Sequence, residues 1–130
     1  MGRILNIVFL AAIAIATMLQ SSSARTTYVV GDALGWLVPP GPAVYTIWAA
    51  NKTFRVGDTL VFNFATGAHS VARVTRANYD ACNAASPLFL LSESPATVTL
   101  DETGDYYFLC AFPGHCSLGQ KFAINVSAAA

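Results

Sequence analysis

Beyond an apolar N-terminal stretch, the chain is written in short apolar or alternating runs broken by Gly, Pro, Asp and Asn, and no stretch keeps helical periodicity. That pattern predicts strands over Thr26–Val30, Val44–Ala49, Thr59–Phe64, Ser70–Val74, Phe89–Leu91, Ala96–Leu100, Asp105–Cys110 and Phe122–Val126. Turn chemistry punctuates them at Gly31-Asp32, Pro39-Pro40, Gly57-Asp58 and Thr103-Gly104. Leu60, Phe62 and Phe64 share one face while Asn63 points away, and Val98 and Leu100 alternate with Thr97 and Thr99, so each of these strands should bury one side. The segment Asn78–Ala85, richer in Ala, Asp and Asn than in β-branched residues, is the place for a short helical turn. The class is all-β, a sandwich of about seven to eight strands.

The first residues stand apart. Arg3 opens a basic start, Ile4 to Leu19 is almost wholly Leu, Ile, Val, Ala and Phe, and Ser22-Ser23-Ala24 offers the small residues a signal peptidase needs. The run is shorter than the roughly 20 residues a bilayer span requires and is interrupted by Asn6 and Thr17. The expectation is a signal peptide over residues 1–24 and one domain over 25–130, with no repeat, low-complexity segment or linker. The segment accounts for an apolar share of 55% that is otherwise high for a domain of this size.

After cleavage the chain carries six basic and seven acidic side chains, a formal charge of −1, with no basic run or basic-aromatic stripe. Nucleic acid and anionic membranes are therefore not expected partners. The tail Ser127-Ala128-Ala129-Ala130 has no hydrophobic stretch behind it, so neither a transmembrane nor a lipid anchor is expected in the mature product.

Cleavage also removes Met1, Met18 and Gln20. What remains is Cys82, Cys110, Cys116, His69, His115 and a single glutamine, Gln120. In an oxidising compartment an odd cysteine count leaves one thiol needing another occupation, and a metal is one such occupation. Cys110, His115 and Gln120 lie at even spacing around a Pro-Gly loop that follows an apolar strand, and His69 is the one further histidine available. Two imidazoles, one thiolate and a weak axial amide oxygen describe a blue-copper electron-transfer site, whereas zinc takes four strong ligands or keeps a water. Each residue alone would read as a surface or core side chain; it is the combination that points to one copper ion. His115-Cys116 places two donors on adjacent residues that do not converge easily, so Cys116 is better suited to bridge Cys82, with Cys82–Cys110 and Cys110–Cys116 as less favoured pairings.

Val30-Gly31-Asp32, Gly35-Trp36, the run from Phe54 to Leu60, Gly67-Ala68-His69-Ser70-Val71, Tyr79-Asp80-Ala81-Cys82 and Pro113-Gly114-His115-Cys116 with Gly119-Gln120-Lys121 together give the chain a specific resemblance. Over essentially all of Arg25–Ala130 it resembles the phytocyanins, plant cupredoxins of the extracellular space. The resemblance implies a cupredoxin-like Greek-key sandwich, a monomer, and location in the apoplast or cell wall. Early nodulin-like relatives lack ligands, but His69, Cys110 and His115 match ligand positions here. The axial residue is Met in the plantacyanin-like and uclacyanin-like branches and Gln in the stellacyanin-like branch, so Gln120 makes the site stellacyanin-like.

The implied function is one-electron transport, not enzymatic turnover, since an oxidase needs an open coordination position or further coppers and no histidines remain to hold them. A second reading is an extracellular copper-binding glycoprotein with a signalling or cell-wall role in which the redox chemistry is incidental. The near-neutral charge names no redox partner, protein or small molecule. Sequons at Asn51-Lys52-Thr53 and Asn125-Val126-Ser127 suit a secreted glycoprotein, Asn125 only if its strand position faces solvent. Produced through a secretory pathway, the chain should begin at Arg25, which N-terminal sequencing checks; retention of Met1 would contradict the cleavage.

Overall fold

The structure, a computed structural model, describes residues 24–130; residues 1–23 of the expected signal peptide lie outside the described residues. Among the described residues, eight strands form two sheets: β1 (Thr27–Val29), β2 (Phe54–Arg55), β3 (Thr59–Phe62), β4 (Val71–Val74), β5 (Phe89–Leu91), β6 (Ala96–Thr99), β7 (Gly104–Leu109) and β8 (Lys121–Ser127). One sheet has the order β1-β3-β6 and the other β2-β8-β7-β4-β5. β1 runs parallel to β3, and β2 parallel to β8, while the other neighbours are antiparallel. Crossing from sheet to sheet in this way makes the expected cupredoxin-like sandwich.

The period-two patterning positions the core. In β8, Phe122, Ile124 and Val126 point inward while Ala123, Asn125 and Ser127 face out. β6 buries Ala96 and Val98 and exposes Thr97 and Thr99. At the centre the Phe122 ring meets those of Trp36, Tyr45, Trp48, Phe62 and Phe108, at centroid separations of 5.3–6.5 Å. A second, smaller cluster of Ala72, Val74, Leu109 and Cys116 covers the outer side of the larger sheet, so β4 is packed on both faces.

One predicted strand is a helix. Val44–Ala50 forms α1, with Ile47 N–H donating to the Ala43 carbonyl at 2.9 Å. The β-branched and aromatic residues there favour a strand by propensity, but Tyr45, Trp48 and Ala49 recur at helical spacing and are the buried ones, while Ile47 is 62% exposed. Packing against β8 overrides the local preference. At its C-terminus the Lys52 ammonium donates to the Trp48 carbonyl at 3.1 Å and lies over the Trp48 ring.

The helical turn expected at Asn78–Ala85 begins earlier, as α2 (Arg76–Asp80), because Thr75 caps it by accepting the Asn78 N–H at 3.3 Å. β2, two residues long, and a 3-10 turn at Asp32–Leu34 carry too little pattern to read in advance. The remaining strands stand within two residues of their expected limits. Phe122→Ala, which empties the meeting point of the aromatic rings, should cost about 3–5 kcal/mol in urea unfolding; a loss below about 1 kcal/mol would contradict the packing described.

Candidate metal centre

β7 and β8 are paired up to Leu109 opposite Lys121, and the Cys110 N–H extends the ladder by donating to the Gln120 carbonyl at 3.1 Å. The segment between them is thus a hairpin loop whose base holds Cys110 on one side and Gln120 on the other. Inside it the backbone is bonded to itself: His115 N–H to Phe112, Gln120 N–H to His115 at 3.1 Å, and Gly119 N–H to Cys116 at 2.9 Å, each to a carbonyl. These bonds, with the Leu118 N–H shared between the Gly114 and His115 carbonyls, stiffen a loop that could otherwise rearrange.

His69 arrives from the turn before β4. Its neighbour Ser70 is buried, its hydroxyl oxygen accepts the Ala111 N–H at 3.1 Å, and its carbonyl accepts the Trp36 indole N–H at 2.9 Å. One residue therefore ties the His69 turn to both the hairpin loop and the aromatic core. Ser70 is a residue the sequence singled out only within a motif; its positioning role depends on burial, which composition does not display.

The structure brings His69, Cys110 and His115 together, with one donor atom from each within 4.8 Å of the others. Cys110 is the free cysteine, 1% exposed, with its Sγ 3.5 Å from His115 Nδ1. His69 Nδ1 lies 3.1 Å from Gln120 Oε1. Both rings thus turn Nδ1 inward, with centroids 5.0 Å apart, and both are half-buried beside the exposed Gly67-Ala68 and Pro113-Gly114. Phe112 stacks on His115 at 5.8 Å and limits how its ring can turn.

Burial lowers the pKa of His69, reinforced by the His115 ring, against which the hydrogen bond to Gln120 raises it. The balance favours neutral imidazole, the form that ligates a metal.

Gln120 is fully buried, and its Nε2 has no hydrogen-bond partner. A buried amide left half-satisfied costs about 1–3 kcal/mol. Its placement is set by Gly119, at φ +107°, where an added Cβ would stand 2.7 Å from Pro42 Cα and 2.9 Å from the Pro42 carbonyl oxygen. Only glycine lets the loop pass the segment that leads into α1.

These residues fit a type 1 copper ion. A buried thiol, two inward Nδ1 atoms and a buried amide oxygen turned toward the His69 ring are the two-imidazole, one-thiolate, weak-axial set. Cys82 and Cys116 form a disulfide across 34 residues of sequence, with Cα atoms 5.7 Å apart, which leaves Cys110 free and pins the hairpin loop to the segment after α2. Asn51 is exposed at the C-cap of α1, and Asn125 is on the outer face of β8, its amide donating to Asp105 at 2.9 Å.

The model of the plastocyanin-like domain family matches residues 36–120. Cucumber peeling cupredoxin of Cucumis sativus is 50% identical over 111 residues, 80% of this chain and 77% of that protein. A blue copper protein of Arabidopsis thaliana is 45% identical over 102 residues, 78% of this chain, which spans about half (52%) of that relative's length. The copper(II) form of cucumber stellacyanin at pH 7.0 superposes with a TM-score of 0.76 and 49% identity, covering 82% of this chain and 98% of that one. On these matches in sequence and fold, the chain belongs to the phytocyanins, within the plastocyanin-like domain family.

Proposed function

We propose that this chain is a secreted carrier of single electrons, holding one copper ion at His69, Cys110, His115 and Gln120. The observation that carries the reading is the convergence of the buried free thiol with two inward imidazole nitrogens. When bound, copper supplies a one-electron couple between its cupric and cuprous states.

The chain's own part is to hold the ligands still. Cys110 is fixed by the β7–β8 ladder, His69 through Ser70, and the loop by the Cys82–Cys116 bridge and the Gly119–Pro42 contact. Ligands that move little keep reorganisation small and transfer fast. The half-exposed His115 ring, flanked by exposed Pro113 and Gly114, offers the shortest route from the thiolate to a partner at the surface.

Gln120 offers an oxygen where a thioether would otherwise stand. The harder donor favours the cupric state and lowers the reduction potential. Secretion is supported by the N-terminal apolar segment, by the disulfide and by two sequons whose asparagines face solvent. With both histidines of the mature chain committed to one ion, no ligands remain for the additional copper of an oxidase. No helix among the described residues is long and apolar enough to cross a membrane.

Copper(II) added to the purified protein should produce an intense visible thiolate-to-copper band, lost in Cys110→Ser; a colourless complex would overturn the site. Gln120→Met should raise the reduction potential in cyclic voltammetry, and an unchanged or lower value would count against axial ligation. Gly119→Ala should lower stability by roughly 1–3 kcal/mol and shift the visible band, because left-handed strain and the Pro42 clash both act on the residue before Gln120. An unaltered band and unfolding midpoint would show that the contact does not position the ligand.

A further inference from the structure

Two strands have a free edge where the sheets part: β5, last in the five-stranded sheet, and β6, last in the three-stranded one. Between them lies a cleft of about 300 Å³ whose walls include Arg73, Phe89, Thr97, Thr99, Asp101 and Tyr106. That size is at the lower end of small-molecule sites, which run from roughly 300 to 1,000 Å³. None of the four proposed copper ligands, nor any residue next to them in sequence, lines it.

Arg73 is the unexplained group. Strand alternation places it on the same face of β4 as Val71, which belongs to the core between the sheets, and opposite Ala72 and Val74. A guanidinium therefore enters from an inner-face position, with its Cζ 3.7 Å from the centroid of the Tyr106 ring. Its Nε is buried and has no acceptor. It makes no ion pair; among the described residues the one such pair joins Arg76 and Asp80. Stacking on Tyr106 accounts for the position of the guanidinium plane but supplies no acceptor at its edge. Asp101 shares the cleft and is engaged at Oδ1 by the Tyr106 hydroxyl at 3.2 Å.

The buried Nε lies out of a ligand's reach, but Arg73 lines the cleft as a half-buried cation without an ion pair, and a planar carboxylate matches the outer, Nη edge of its guanidinium. The other polar residues along the cleft are Thr97 and Thr99, from the exposed face of the β6 edge, with Asp101 and Tyr106, and their oxygens suit ligand hydroxyls. We propose that the cleft binds a small hydroxylated organic carboxylate of the uronic acid type, with its carboxylate on Arg73 and its hydroxyls on Thr97, Thr99 and Asp101. The site is separate from the metal end and does not depend on copper being bound.

The test is a titration of the isotope-labelled, purified full chain with D-galacturonate, with D-galactose as the uncharged counterpart, followed by amide chemical shifts with and without cuprous copper. Saturable shifts at Arg73, Thr97, Thr99 and Tyr106 are expected, with a dissociation constant on the order of 1 mM for a ligand of about a dozen heavy atoms. Galactose should bind about tenfold more weakly, and Arg73→Gln should weaken galacturonate about tenfold while leaving the visible copper band in place. Thr97→Val, on the exposed face of β6, gives a second loss of affinity that does not depend on the Arg73 stem for folding. No saturable shift, equal binding of galactose, shifts centred on the histidines, or affinity untouched by both substitutions would each overturn the proposal. Failure to bind copper while these shifts persist would overturn the electron-carrier reading and not this one.

Discussion

The hydrogen bond from the Cys110 N–H to the Gln120 carbonyl is the constraint on which the rest of the site depends. It is the last rung of the β7–β8 ladder, so the two residues face each other across a hairpin base whose geometry is set by the sheet. The loop above need only return His115 to a point already bounded by a thiol and an amide. His69 then comes from a different part of the chain, held through a serine that is bonded to the loop on one side and to the aromatic core on the other. Sheet, core and site are thus one mechanical unit.

That unit carries internal costs. A polar donor set is gathered under the surface, and the Gln120 amide keeps an unpaired Nε2 in a fully buried position. The surrounding structure offsets these with a dense group of aromatic rings and a covalent bridge that shortens the unfolded chain. Stability is supplied in the middle of the sandwich and given up at one end, where the chemistry is.

Much of this was legible beforehand. Alternation made the strands at Thr59 and Ala96 readable, and the odd cysteine count, with two histidines and one glutamine left once the expected signal peptide is set aside, pointed to the set of residues that the structure brings together. The Val44–Ala50 helix was not legible as such, because its β-branched residues spoke for a strand and the helical spacing of Tyr45, Trp48 and Ala49 becomes decisive only once β8 is there to receive it. Ser70 and the Pro42 contact were invisible for a related reason. Their importance is a matter of who stands beside them in space, and neighbours distant in sequence leave no local trace.

The passage of Gly119 against Pro42 couples two stretches that a sequence comparison would treat as independent. An engineer moving the hairpin loop into another sandwich would be transplanting half of a joint. The proline-rich lead-in to α1 is the other half, and its length sets where the loop may pass. Insertions or deletions around Pro39–Pro42 would therefore register at the axial residue, although that stretch contributes no ligand of its own.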